Sequence, residues 1–266
     1  MRQKQFQLET EEKACFIFGA GSFYGLWNRP KPGDLVIAAD GGLSYLEALG
    51  LKPDILLGDF DSLGQLCGAE QAKREAAPAS SSVESASGAG AAAESCGTGT
   101  EATSAAERMP VSAEIERLPV VKDRSDSAAA LLEGKTRGFR LFYLYGCTGG
   151  RLDHTIATLQ DIAALSKEGI DAFLFSETEV FTAITDCRLN FPEGMRGTVS
   201  VFSHSDVSEG VDESGFLYTV ADRRLTNDFP LGLSNAFTQL PASLAVQKGT
   251  LLVSLELCGI QAAGNA

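Results

Sequence analysis

Carboxylate side chains recur in the first half of the chain where apolar, strand-like runs end. Asp40 follows VIAA, Asp59 and Asp61 follow ILLG, and Asp123 and Asp126 follow PVVK. One Asp in such a place is most simply a turn former or a helix cap, but five indicate a site. Asp59 and Asp61 point the same way in an extended segment, and carboxylate oxygens suit Mg²⁺. The pattern therefore predicts a magnesium site that handles phosphate groups.

A second motif, TGGRLDH, follows another apolar run and precedes a helix-like segment. Gly149 and Gly150 allow close approach of the backbone to a ligand, and a helix N-terminus attracts anions. Arg151 adds a charged fork that suits phosphate. His154 fits a phosphate or ribose contact, or a hydrogen bond within its own loop. The simpler interpretation is a glycine turn with Asp153 as the helix N-cap.

These motifs are placed by alternating strand-like and helix-like segments. Predicted helices are LSYLEALG, ending at Gly50, and DSAAALLEG, capped by Ser125 or Asp126. A third covers Asp153–Leu165, with Ile156, Leu159 and Ile162 on one face. The predicted strands lie in Cys15–Gly21, Asp34–Gly42, Asp54–Ser62, Arg117–Lys122, Phe139–Gly146 and Asp171–Ser176. Apolar strands separated by helices predict a parallel sheet whose strand ends share one ligand-binding rim.

The pattern changes after about Ser176, where short strand-like runs such as TVSVFS, GFLYTV and TLLVSLEL alternate with turn signals and no helix is predicted. We therefore expect two domains. Residues 1–176 form an α/β domain with a mainly parallel sheet, and residues 177–266 form an all-β domain of sandwich or barrel type.

Residues 66–116 interrupt the first domain as a low-complexity insertion. Between Ala76 and Ala106, 22 of 31 residues are Ala, Ser or Gly. Such a composition lacks the apolar surface that offsets the entropy of ordering, so we expect this segment to be largely disordered. It is either a tolerated surface insertion or a lid or partner-binding loop.

Charge and cysteine usage exclude other classes of protein. The 266 residues carry 22 Lys and Arg against 35 Asp and Glu, a net charge of −13, which disfavours binding to nucleic acid or to anionic membranes. Apolar runs are strand-sized, and the N-terminus shows no signal-peptide pattern. The six cysteines form no CxxC pair, which argues against a zinc site. We expect a cytoplasmic protein with free thiols.

Taken together, the motifs resemble thiamine pyrophosphokinases. The resemblance rests on AADGG (Ala38–Gly42), KPDILLGDFDS (Lys52–Ser62), KDRSDSAAAL (Lys122–Leu131), GGRLDH (Gly149–His154) and GLSN (Gly232–Asn235). It implies an α/β catalytic domain, a C-terminal β-sandwich and a homodimer. It also implies transfer of pyrophosphate from ATP to thiamine. Alternatives are a diphosphokinase for a related pterin or pyrimidine alcohol, and a non-catalytic nucleotide or thiamine sensor.

The resemblance also implies roles for individual residues. The catalytic carboxylates are Asp40, Asp59, Asp61 and Asp126, of which Asp59, Asp61 and Asp126 hold Mg²⁺. The nucleotide is bound by Asp123, Gly149, Gly150, Arg151, Asp153 and His154. Thiamine is bound by Lys122, Ser234 and Asn235, although Ser234 and Asn235 also suit a simple turn. Either Asp126 or Asp123 takes the proton of the substrate hydroxyl.

Deleting about Gly68–Ser112 and closing the gap with a short linker should leave folding and activity mostly intact, because this stretch lacks core-forming residues. Thermal melting and turnover of the shortened chain check this expectation. A large fall in melting temperature, or loss of turnover in a folded variant, would show instead that the segment is structural or a lid.

Overall fold

The computed structural model describes residues 1–58, 114–117 and 125–264. Most of the predicted 66–116 insertion lies outside these ranges. All the described residues belong to one compact unit, formed by Met1–Asp59 and Ser112–Ala266.

The described part of the chain is mostly β, with two sheets and few helices. The helices are α1 (Leu43–Leu49), α2 (Asp126–Thr136), α3 (Leu152–Lys167) and α4 (Leu257–Gly264), and Asp40–Gly42 form a 3-10 turn. The first strands are β1 (Arg2–Gln5), β2 (Cys15–Phe18), β3 (Leu35–Ala39), β4 (Ile55–Gly58), β5 (Glu114–Arg117), β6 (Leu141–Tyr145) and β7 (Asp171–Phe175). The remaining strands are β8 (Glu179–Thr185), β9 (Cys187–Phe191), β10 (Thr198–Ser203), β11 (Val207–Ser214), β12 (Val220–Thr226), β13 (Gly232–Ala236), β14 (Ala242–Ala245) and β15 (Thr250–Glu256).

The larger sheet has ten strands in the order β13-β10-β15-β8-β7-β6-β2-β3-β4-β5. From β7 to β5 every neighbouring pair is parallel. From β7 to β13 every pair is antiparallel. The carboxyl ends of β2, β3, β4 and β6 therefore lie along the same edge of the sheet, as the strand-tip motifs require.

The smaller sheet has five strands in the order β1-β9-β14-β11-β12. The sequence analysis did not predict β1, whose residues RQKQ are polar and mostly exposed. It pairs in parallel with β9, and Lys4 forms an ion pair with Asp171 of the larger sheet. The first residues of the chain thus join a sheet whose other strands come from beyond residue 176. The boundary predicted there falls between β7 and β8, which pair with each other.

The core explains why the strand-like runs are continuously apolar. The side chains of β2, β3, β4 and β6 are all buried, with exposed fractions of 6% or less. Polar atoms within this core find partners: the Tyr143 hydroxyl donates to the Leu8 carbonyl at 2.6 Å, and the Tyr145 hydroxyl donates to Asn28 Oδ1 at 2.5 Å. This rigid centre supports the loops that follow the strands.

The helix boundaries follow the local signals with some corrections. Gly50 ends α1 in a left-handed conformation, with φ 67°. In α3, Ile162 is buried, but Ile156 is 50% exposed, so the predicted apolar face is shorter than expected.

The run GFLYTV is not a strand, since β12 begins only at Val220. A helix, α4, also follows β15, where none was predicted.

Two further observations concern membrane-spanning helices and the state of the cysteines. No helix among the described residues is long and apolar enough to cross a membrane. The four cysteines in the described ranges, Cys15, Cys147, Cys187 and Cys258, carry free thiols.

Replacing Ser125 by Ala should lower the free energy of unfolding by about 1 kcal/mol. Ser125 is the N-cap of α2, and its Oγ accepts a hydrogen bond from the Ala128 amide at 3.2 Å. Denaturant titration measures the change. Ser125→Thr keeps the acceptor oxygen and is the matched control, and equal losses in both variants would contradict the capping role.

Candidate active site

The parallel strand ends surround a cavity of about 340 Å³, which we call the rim cavity. Its residues come from the end of β3, from the loops after β2, β3 and β6, from the first turn of α2 and from the first two turns of α3. They are Gly19, Ala20, Gly21, Ala39, Asp40, Asp126, Ser127, Gly146, Cys147, Gly149, Gly150, Arg151, His154 and Thr158. The predicted convergence of strand-tip motifs is thus observed for the motifs that the structure describes.

The loops after β2 and β6 are held together by their backbones. The Gly19 amide donates to the Tyr145 carbonyl at 2.8 Å, and the Gly21 amide donates to the Gly146 carbonyl at 2.6 Å. A Cβ atom on Gly21 would lie 2.5 Å from the Thr148 oxygen, so no larger residue fits there without a shift. This close approach explains the GAG sequence, which falls short of a full dinucleotide-binding pattern.

Asp40 occupies the left-handed region, with φ 53°, inside the 3-10 turn after β3. Asp tolerates this conformation better than most residues, and strained residues are concentrated at functional sites. The end of this turn packs tightly, since a Cβ on Gly42 would lie 1.9 Å from the Phe18 oxygen. Gly58, which ends β4, packs against the Asp40 backbone. The Asp40 carboxyl is therefore fixed beside the point where β4 ends.

Arg151 and Asp153 form an exposed ion pair at the start of α3. Arg151 Nη2 lies 2.6 Å from Asp153 Oδ2, and Nε lies 3.2 Å from Oδ1. This hydrogen bonding lowers the pKa of Asp153 and raises that of Arg151. Arg151 is itself the N-cap residue, without a side-chain cap, so the predicted capping role of Asp153 is wrong. Asp153 instead orients the guanidinium group at the mouth of the cavity.

His154 lines the rim cavity from the first turn of α3. Its amide donates to Asp153 Oδ1 at 3.1 Å, and its carbonyl accepts from Thr158 Oγ1 at 2.9 Å. The backbone of His154 thus takes part in the start of α3, and the residue is exposed where it lines the cavity.

The sequence analysis assigned no role to Cys147, which also lines the rim cavity. Burial raises the pKa of its thiol to about 12, and Sγ donates to the Tyr145 carbonyl at 3.4 Å. A thiol that stays protonated is a poor nucleophile, so Cys147 serves as a packing residue. Tyr45 was also missed; its hydroxyl donates to the Gly21 carbonyl at 2.6 Å and fixes that loop. No spacing signal in the sequence marks either residue.

Six of the predicted residues are brought together in the rim cavity: Asp40, Asp126, Gly149, Gly150, Arg151 and His154. Asp59, Asp61, Lys122 and Asp123 lie outside the described residues. Within the described ranges, no three His, Cys, Asp or Glu side chains cluster as a metal site would require. The magnesium site assigned to Asp59, Asp61 and Asp126 stays a prediction.

The GLSN segment lies elsewhere, in β13, next to a second cavity of about 470 Å³. We call this second cavity the β cavity. It is lined by Glu213, Tyr218, Val220, Ala221, Arg223, Leu225, Leu231, Gly232, Leu233 and Asn235. None of these described lining residues also lines the rim cavity.

The two predicted thiamine-side residues of GLSN differ in position. Ser234 is exposed, with φ 59°, and its amide donates to Ser200 Oγ at 3.0 Å. Asn235 is buried, and its Nδ2 donates to Glu213 Oε2 and to the Tyr218 carbonyl, both at 2.7 Å. Asn235 therefore shapes the wall of the β cavity, whereas Ser234 is not among its described lining residues.

Gly149 and Gly150 offer a matched test of the loop geometry. Both have positive φ, 75° and 66°, so Ala at either position costs about 1–2 kcal/mol. A Cβ on Gly149 would also lie 2.6 Å from Ser22 Cβ, whereas a Cβ on Gly150 would have open space around it within the described part of the chain. Gly149→Ala should therefore lower the free energy of unfolding by about 1–3 kcal/mol more than Gly150→Ala. Denaturant titration checks this, and equal losses would show that Ser22 does not constrain the loop.

Comparison with solved structures places this architecture among known folds, whereas no protein-family model and no curated protein matches the sequence. A thiamine pyrophosphokinase from Bacillus subtilis superposes with a TM-score of 0.70 at 20% identity, covering 92% of this chain and 99% of that one. Thiamin pyrophosphokinase from Candida albicans gives a TM-score of 0.66 at 11% identity, covering 96% and 92%. The yeast enzyme gives 0.62 at 12% identity, covering 96% and 90%. The motif resemblance is thus confirmed at the level of architecture, and the chain has the fold of the thiamine pyrophosphokinases.

Proposed function

We propose that this chain is a magnesium-dependent thiamine pyrophosphokinase that transfers pyrophosphate from ATP to thiamine, giving thiamine diphosphate and AMP. The observation that supports this most is the rim cavity. There the glycine-containing loops after β2 and β6 meet Asp40, Asp126 and Arg151 at the ends of parallel strands. The fold is that of the thiamine pyrophosphokinases. A site of this kind suits an anionic nucleotide in an otherwise acidic chain.

The proposed reaction is an in-line displacement at the β-phosphorus of ATP. The thiamine hydroxyl oxygen forms a bond to that phosphorus, the bond to the oxygen shared with the α-phosphate breaks, and AMP leaves with the bond's electron pair. Asp126 or Asp123 takes the hydroxyl proton. Arg151, oriented by Asp153, and the backbone of the Gly149–Gly150 turn hold phosphate oxygens. Catalysis of this kind is chiefly positioning and charge stabilisation.

The donor chemistry of the rim cavity fits magnesium. Asp40 and Asp126 contribute carboxylates to it, and β4 ends beside the Asp40 backbone, directly before Asp59 in the sequence. We assign Mg²⁺ to Asp59, Asp61 and Asp126, with Asp40 as a further catalytic carboxylate. When bound, the ion would neutralise charge on the phosphate groups.

On the thiamine side, we assign the β cavity and the GLSN segment of a C-terminal β-sandwich, residues 177–266, which completes the α/β catalytic domain of residues 1–176. Because the two cavities share no described lining residue, a second copy of the chain is the proposed source of the missing half. Several large apolar side chains near β11–β14 are exposed and would be covered in such a homodimer: Leu217, Tyr218, Phe229, Leu231, Leu233 and Leu240.

The assay measures AMP and thiamine diphosphate formed from ATP and thiamine. Asp59→Asn and Asp61→Asn keep side-chain size but remove a charged ligand. Each should lower turnover by roughly a hundredfold or more, the scale of losing one main electrostatic contact. Glu47→Gln, at an exposed position of α1, is the control for loss of one negative charge and should retain full turnover.

Other outcomes would redirect the assignment. Near-normal turnover of both Asn variants at limiting Mg²⁺ would make the metal assignment wrong. AMP formation with a pterin or pyrimidine alcohol, but not with thiamine, would indicate a related diphosphokinase. Binding of ATP and thiamine without any AMP formation would indicate a sensor.

A further inference from the structure

A buried carboxylate in the β cavity has no role in the function proposed so far. Glu213, in β11, is only 5% exposed, yet it is one of the residues that line this cavity. Its Oε2 accepts a hydrogen bond from Asn235 Nδ2 at 2.7 Å. Acidic side chains are seldom buried to this extent unless they are paired with a complementary group.

The second carboxylate oxygen opens to the cavity. Within the described residues, Glu213 Oε1 accepts no hydrogen bond, and no side-chain oxygen or nitrogen is buried there without a partner. Oε1 therefore keeps an accessible face, and the cavity lined by Glu213 is the space available to it. An oxygen in this position is able to contact a ligand bound in the β cavity.

Among the described lining residues of the β cavity, no cation is paired with the Glu213 carboxylate. Most lining residues are apolar, among them Val220, Leu225 and Leu231. Arg223 is the one cation among the described lining residues, but it is exposed and forms no ion pair with Glu213 there. Burial raises the pKa of Glu213 while the Asn235 hydrogen bond opposes the rise. A positively charged ligand would favour the ionised carboxylate.

An aromatic ring completes this arrangement. Tyr218 lines the same cavity and is 66% exposed, and its backbone is tied on both sides to the Asn235 side chain, at 3.0 and 2.7 Å. A ring face attracts cations and stacks on flat heterocycles. Asn235 thus links the Glu213 carboxylate to the backbone of Tyr218.

We propose that Glu213 is a specificity-determining residue of the β cavity, which selects a positively charged heteroaromatic ring over a neutral ring of the same shape. The inference rests on the proposed function, because thiamine carries a permanent positive charge on its thiazolium ring. The Glu213 carboxylate supplies the countercharge, and Asn235 is the positioning residue that holds it.

The test uses Glu213→Gln, which preserves shape and leaves an oxygen to accept from Asn235. The substrates are thiamine and a neutral analogue in which carbon replaces the thiazolium nitrogen. The wild-type chain should show a KM for thiamine about tenfold or more below that for the analogue, the scale of attraction between two opposite charges at a partly desolvated site. The variant should lose about tenfold of this preference, with an unchanged KM for ATP and a melting temperature no lower than that of the wild-type chain, because a buried charge has been removed.

Asp228→Asn is the matched control, because it also replaces an acid by its amide, at an exposed position that is not among the described lining residues of the β cavity. It should leave the preference for thiamine unchanged. If Glu213→Gln raises the KM for thiamine and for the analogue equally, or leaves both unchanged, Glu213 is structural and the inference is wrong although the proposed function stands.

Calorimetric titration of thiamine into the wild-type chain and the variant separates the inference from the proposed function. Absence of AMP formation together with about tenfold weaker thiamine binding by Glu213→Gln would overturn the pyrophosphokinase assignment but support the charge selection. Absence of thiamine binding by the wild-type chain would overturn both.

Discussion

The rim cavity depends on one constraint, the direct contact between the backbones that follow β2 and β6. The amides of Gly19 and Gly21 donate to carbonyls of the opposite loop, and the space between the two loops leaves no room for a side chain on Gly21. Because the loops lock each other, the following Gly149–Gly150 turn and the start of α3 are fixed at the cavity mouth. The buried strands beneath supply the rigidity that such close packing requires.

Much of this arrangement could be predicted from local sequence signals. Alternating apolar runs and helices predicted the parallel strands, because each signal is a short-range physical effect. Gly50 predicted the end of α1, and the predicted cap of α2, Ser125 or Asp126, is Ser125. Strand β1 could not be found this way, since RQKQ has no apolar pattern and its pairing with β9 spans the whole chain. The exposure of Ile156 could not be predicted either, because tertiary packing decides which part of a helix face is covered.

The candidate site shows the same division between what residue types predict and what only structure reveals. Asp40, Asp126, Arg151 and His154 are chemically conspicuous, and parallel topology was enough to bring them together. Glu213 was not conspicuous, since it lies in DESG, which is typical of a turn between strands and was wrongly predicted as one, whereas β11 continues to Ser214. Only the register of β11, with its partners in β12 and β14, shows that this carboxylate is buried and bound to Asn235.

Electrostatics then distinguishes the two cavities. A chain with a net charge of −13 would repel an anionic nucleotide at long range, so in the proposed function ATP would have to be held by local groups such as Arg151, backbone amides and a bound cation. The β cavity poses the opposite problem, because a buried carboxylate repels anions and costs free energy until a cation arrives. The rim cavity contains Asp40 and Asp126 beside Arg151, so a bound cation would have to offset these carboxylates before phosphate groups are favoured there. The β cavity would favour a cationic ring directly, because Glu213 is the one acidic residue among its described lining residues.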